Sequence, residues 1–157
     1  MTDAVTTTGR FKMKVSGDAP VMIQMSGPIT EMAHLDPAGI PAADLIVIDV
    51  GEVPTINSLG VRDWMRFVAG LRARSVEIHR LGPLFVLHAS TIRDFLGRAR
   101  VVSAIYPWEC PSCGHYTDQV MKLPVRLAPL SCPKCGAEMV LDSLPGVYDH
   151  LTRVEEV

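Results

Sequence analysis

The sequence predicts an α/β domain followed by a small cysteine-clasped module, and three observations carry that reading. Apolar residues alternate with lysines at Phe11, Met13 and Val15, the signature of a half-exposed strand. Leu45-Ile46-Val47-Ile48-Asp49-Val50 is a β-branched apolar run typical of a strand buried on both faces, and helical periodicity follows it. All four cysteines fall in two matching clasps, Cys110-Pro-Ser-Cys113-Gly114 and Cys132-Pro-Lys-Cys135-Gly136. The 157 residues allow one ordinary domain and an appendage, and the 48% hydrophobic content is enough for a core.

Residues 1–9 are small and polar and read as a disordered lead-in. The strand from Phe11 ends at the Gly17-Asp18 turn, and Val21 to Met25 returns as a second strand, so the chain opens with a hairpin. Three prolines and Gly39 break Pro28 to Ala43 into a loop, with a helical turn around Thr30 to Leu35. After the buried strand, Val61, Trp64, Met65 and Val68 recur at helical spacing, while Arg62, Asp63 and Arg66 fall toward water. Val76 to Leu81 is the next strand. A second helix is expected from Leu84 to Leu96, with Ile92, Phe95 and Leu96 inward, and Val101 to Trp108 is a last strand leading into the first clasp. Past the second clasp, Leu144, Val147, Tyr148 and Leu151 have the spacing of an amphipathic helix, with Ser143 or Asp142 to cap it and Pro145 in its first turn. Strands alternating with helices give a mixed sheet covered by helices over residues 10–108, a clasped module over 109–141 and a C-terminal helix over 142–157 that frays from Val154.

The two clasps supply four thiolates that can close tetrahedrally around one ion. Glycine after each second cysteine tolerates the positive φ that a chelating turn needs. A closed four-sulfur set leaves no position for water or substrate, so one structural Zn2+ per chain is expected, held by Cys110, Cys113, Cys132 and Cys135. Iron in a rubredoxin-like site is the rival, because tetrahedral sulfur suits either metal. Thioredoxin-type redox chemistry would need only one pair.

The order strand, strand, buried strand near Asp49, then Asn57-Ser58-Leu59-Gly60 at a helix start resembles the STAS domain, whose best-known soluble members are bacterial anti-anti-sigma factors. The resemblance spans residues 10–108 and rests on a pattern. It implies a non-catalytic regulator that binds a protein partner, an anti-sigma-factor or kinase-like ATPase, through Ser58, Asn57, Leu59 and Gly60. In that family the serine corresponding to Ser58 is phosphorylated by the partner kinase; Asn57 here replaces the family's usual aspartate. Independently of family, a serine at a helix N-terminus can cap the helix or carry a phosphate that the free amides and the helix dipole favour.

Other residues are weaker signals. Asp49 sits where ligands gather at strand ends, but no second acid, nucleophile or glycine-rich loop supports it, so a turn-stabilising role is expected. His34, His79, His88 and His150 lack a visible chemical neighbour, and His115 adjoins a clasp that four thiolates already complete. Arg62, Arg66, Arg72 and Arg74 read as a solvated helix face. No enzyme constellation is legible. The alternative function is a nucleic-acid-binding zinc ribbon. From Cys110 onward, however, Lys122, Arg126, Lys134 and Arg153 are outnumbered by Asp118, Glu138, Asp142, Asp149, Glu155 and Glu156. The net charge of −2, every cysteine in a clasp, no apolar run near the roughly 20 residues of a membrane span and no signal-peptide pattern at the start lead to an expected cytoplasmic location.

Overall fold

In the computed structural model the chain forms two sheets sharing one core, described for residues 4–8 and 10–151. The first is six-stranded in the order β1-β2-β3-β4-β5-β6: β1 (Ala4–Thr8), β2 (Phe11–Ser16), β3 (Val21–Ser26), β4 (Ala43–Glu52), β5 (Ala73–His79) and β6 (Arg100–Val101). The opening hairpin is present, with β2 antiparallel to β3, and the sheet then turns parallel through β4, β5 and β6. Ala4–Thr8, expected within a disordered lead-in, instead pairs antiparallel with β2. Its valine and threonines suit an extended edge. The rest of the 1–9 segment and residues 152–157 lie outside the described residues.

Helix α1 (Ser58–Gly70) links β4 to β5, and α2 (Pro83–Thr91) links β5 to β6. Parallel strands laid down in sequential order by right-handed crossovers place both helices on one face. There Phe11, Met13, Val15, Val21, Ile23, Met25, Ile46, Ile48, Val50, Val76 and Ile78 meet Trp64, Phe67, Val68, Phe85 and Val86 in one buried cluster. Trp64 packs edge-on against Phe85, ring centroids 5.1 Å apart, and donates its indole N–H to the Phe95 carbonyl at 3.0 Å. The other face of the sheet carries Lys12, Lys14, Gln24, Asp49, Glu77 and His79, so β4 is not apolar on both sides as expected, although its Val47 is buried on that face. Helix α2 stops at Thr91 rather than Leu96, and tight turns around Asp94 and Gly97, both with positive φ, bring Phe95 into the core.

The run expected as a single strand from Val101 to Trp108 changes sheets at Val102. The Val102 amide donates to Ile78 in the first sheet, while its carbonyl accepts from Leu123 in the second. From there β7 (Ser103–Glu109) is the central strand of an antiparallel sheet, flanked by β8 (Tyr116–Lys122) and β9 (Val140–Leu141). The change from one sheet to the other therefore falls at 102, within the span expected as a single strand. The small sheet is not hung on a linker. Leu81 donates its amide to the Ser103 carbonyl and accepts from the Ile105 amide, and the Arg80 amide donates to the Ser103 hydroxyl at 2.8 Å. Ala104, Tyr106 and Trp108, on one face of β7, join the same buried cluster as the α/β domain.

The C-terminal segment is not an α-helix over 142–151. Its bonds are i to i+3, from Val147 to Leu144, Asp149 to Gly146 and Leu151 to Tyr148, and Gly146 has φ +84°. Pro145-Gly146 favours a turn more strongly than the apolar spacing favours a helix. The segment still docks: the Tyr148 ring lies 4.8 Å from Tyr106, and its hydroxyl donates to the Ile105 carbonyl at 2.8 Å.

The two tyrosines differ in a way that stability measurements can read. Burial pushes the Tyr106 phenol up to about 12, and its oxygen has no hydrogen-bond partner among the described residues. Removing that oxygen in Tyr106→Phe should leave stability unchanged or slightly raised, whereas Tyr148→Phe should lose about 1 kcal/mol. Urea denaturation of the two variants would check the contrast.

Candidate metal centre and helix-start surface

Each clasp is built by the same backbone pattern. The Cys110 amide donates to the His115 carbonyl at 2.8 Å, and the Gly114 amide returns to the Cys110 carbonyl at 2.9 Å. The second clasp repeats this with Cys132 to Ala137 at 2.7 Å and Gly136 to Cys132 at 2.9 Å. Gly114 and Gly136 have φ +74° and +76°, the left-handed turn that the sequence predicts at these positions. Strand β7 delivers Cys110 to the site, and Leu130 and Met139 close the second clasp through a 2.8 Å backbone bond.

The four Sγ atoms lie within 4.8 Å of one another, the closest pairs being Cys110–Cys135 at 3.4 Å and Cys113–Cys132 at 3.6 Å. A disulfide would bring two sulfurs to about 2.05 Å. A tetrahedron of Zn–S bonds near 2.3 Å puts its sulfurs about 3.8 Å apart, so the observed set fits one such ion. Backbone amides reach all four sulfurs, but only Cys110 and Cys132 are held down, while burial and the neighbouring sulfurs push Cys113 and Cys135 up. The Cys113 amide, with help from Cys135 and Ser112, holds the Cys110 thiol down to about 7, and the Lys134 amide lies 3.4 Å from the Cys132 sulfur. Cys110 and Cys132 are buried and Cys113 and Cys135 exposed, so the ion would sit at the rim of the core with its shell closed by protein. His115 contributes its backbone: its carbonyl accepts from the Cys110 amide, and its amide donates toward the Cys113 sulfur.

Far from the clasps in sequence, α1 begins where its residues suggest. Asn57 is the cap: its side-chain oxygen accepts from the Gly60 amide at 2.8 Å, and its amide nitrogen donates to Glu31 at 2.9 Å. That second bond holds the Glu31 carboxyl below its usual range. Ser58 is therefore relieved of capping, and it is exposed with no hydrogen bond to its hydroxyl among the described residues. Leu59 and Met32 are exposed beside it, 43% and 56% accessible. Gly60 departs from the expected contact set. It is buried, and a Cβ there would run into the Ile29 carbonyl oxygen, so it serves close packing rather than outward contact.

Asp49 has the turn role expected of it, accepting from the Gly51 amide at 2.9 Å, and it also pairs with Arg80 Nε at 2.9 Å. The Arg80 pairing was not legible, because it depends on Arg80 following β5 with φ +52°. His79 lies against Glu77 at 3.3 Å, and Glu77 also binds Arg100. Arg72 and Arg74 lie beyond the end of α1 rather than on its face, and Arg72 is bonded to the Ile40 carbonyl. Among the described residues no helix is long and apolar enough to cross a membrane. No family model, curated protein or solved structure matches this chain.

Two sets of variants test these assignments. The protein should purify colourless with one zinc per chain by elemental analysis, and Cys132→Ser should lose it. Because β7 belongs to the small sheet and packs into the shared core, metal loss should also lower the thermal midpoint of the α/β domain rather than melt the small sheet alone. At the helix start, Asn57→Ala should cost about 1 kcal/mol and Ser58→Ala at most about 0.5 kcal/mol in denaturant melts.

Proposed function

We propose that this chain is a cytoplasmic, non-catalytic regulatory protein, a STAS-like anti-sigma-factor antagonist or signalling scaffold. Its α1 start docks a protein partner, and its four-cysteine zinc ribbon is structural. The observation that carries the reading is the division of labour between Asn57 and Ser58. Asn57 satisfies the helix end, which leaves the Ser58 hydroxyl without a structural duty on a surface fringed by Met32 and Leu59. Such a hydroxyl is open to a kinase, and the helix dipole and first-turn amides would stabilise the phosphate. The modification would place nearly two negative charges beside Glu31, whose carboxylate is held nearby by Asn57. A partner seated on Met32 and Leu59 would feel both the charge and the lost fit.

A regulatory role is also supported by what the other polar groups do. Asp49 is tied to Gly51 and Arg80, and a four-thiolate shell has no open position at which to activate water. A nucleic-acid role for the ribbon is disfavoured by Glu109, Asp118 and Asp142 on one face of the small sheet, and by the two negative charges of a four-thiolate zinc centre.

The test is capture of the partner from the protein's own host with the full zinc-loaded chain. Ser58→Ala should retain a histidine-kinase-like ATPase or other signalling protein, and Ser58→Asp should weaken that capture about tenfold or more. Equal retention by both variants, or no partner at all, would overturn the proposal.

A further inference from the structure

Strand β8 is the outer strand of the small sheet, and its side chains form a pattern that matches itself when reversed. Four of the seven residues, Tyr116, Asp118, Val120 and Lys122, share the face of the sheet that carries Ile105, Pro107 and Glu109. Tyr116 and Val120 are 50% and 55% accessible, and Asp118 and Lys122 are exposed. The Leu123 amide points inward to Val102, so the alternation of an antiparallel ladder turns the amides and carbonyls of Asp118, Val120 and Lys122 outward. Among the described residues no backbone group bonds to that outer edge. A seven-residue edge with exposed valine and tyrosine is a ready template for another strand.

We infer that the strand it takes is β8 of a second copy of this chain, antiparallel and centred on Val120. In that register Val120 faces Val120, and Asp118 of each copy faces Lys122 of the other, giving two opposite-charge pairs across a two-fold axis. Among the described residues neither Asp118 nor Lys122 makes an ion pair. They stand four residues apart on one strand, about 13 Å at roughly 3.3 Å per residue. Neighbouring registers are worse. Centring on Asp118 sets two carboxylates face to face, and centring on Gln119 sets each Asp118 against a valine. The two small sheets would become one continuous sheet of six strands, built from three in each chain. The α1 surface plays no part in this contact, so the inference does not rest on the proposed partner.

Charge reversal gives a test that misfolding cannot imitate. Sedimentation equilibrium of the full zinc-loaded protein should show a concentration-dependent dimer. Asp118→Lys and Lys122→Asp should each weaken it by about tenfold or more, because each creates like-charge pairs at both ends of the interface. Mixed in equal amounts, the two variants should restore association. One strand then carries lysine at both positions and the other aspartate at both, so opposite charges meet at each end of the axis. A wild-type protein that stays monomeric to millimolar concentration would overturn the inference. So would single variants that associate as wild type does, or a mixture no tighter than its components.

Discussion

Strand β7 performs two tasks on one backbone. Its alternate side chains Ala104, Tyr106 and Trp108 enter the core shared with the first sheet, and its end sets Cys110 at the first clasp. The four-cysteine site is thereby tied to the α/β domain by burial rather than by a tether. A small three-stranded sheet has little apolar surface of its own to bury. Here it shares the core of its neighbour through β7 and carries, at the end of that strand, four cysteines placed to hold one metal ion. The polar junction at Val102, bonded to Ile78 on one side and Leu123 on the other, lets one strand direction serve both sheets without leaving a backbone group unpaired.

The helix-start surface follows from a comparable economy. The chain approaches α1 through Ile29 and Ile56, which bridge in parallel, and Gly60 must lack a side chain for that approach to close. Asn57 then completes the first turn and reaches Glu31 on the preceding loop. These contacts hold the start of α1 rigidly while leaving Ser58, Leu59 and Met32 exposed. Rigid placement of a small exposed patch suits recognition by another protein, because little side-chain order remains to be lost on docking.

Much of this was legible from residue order. The clasps declared themselves by spacing, and the left-handed glycines by their position after each second cysteine. Alternation at Phe11, Met13 and Val15, and the helical recurrence of Trp64 and Val68, identified the faces that are buried. What escaped depends on tertiary context. Asn57 and Ser58 are equally good caps in sequence, and only the path of the loop carrying Glu31 decides between them. Val101 to Trp108 reads as one strand because a change of sheet needs no break in the apolar pattern. The expected C-terminal helix failed at Pro145-Gly146, where turn chemistry outweighed periodicity, although Tyr148 and Leu151 are buried as their spacing suggested. The edge strand at Ala4–Thr8 was missed because its residues are small and only the adjacent β2 gives them a partner.

Native mass spectrometry of the protein isolated from its own cells tests the regulatory account most directly, since it weighs metal, phosphate and bound protein on the same molecules. The account predicts one zinc in every chain, with the protein-bound fraction unmodified at Ser58 and any phosphorylated fraction free of partner. Phosphate found equally in bound and free chains, or a small-molecule reaction product accumulating on the isolated protein, would contradict it.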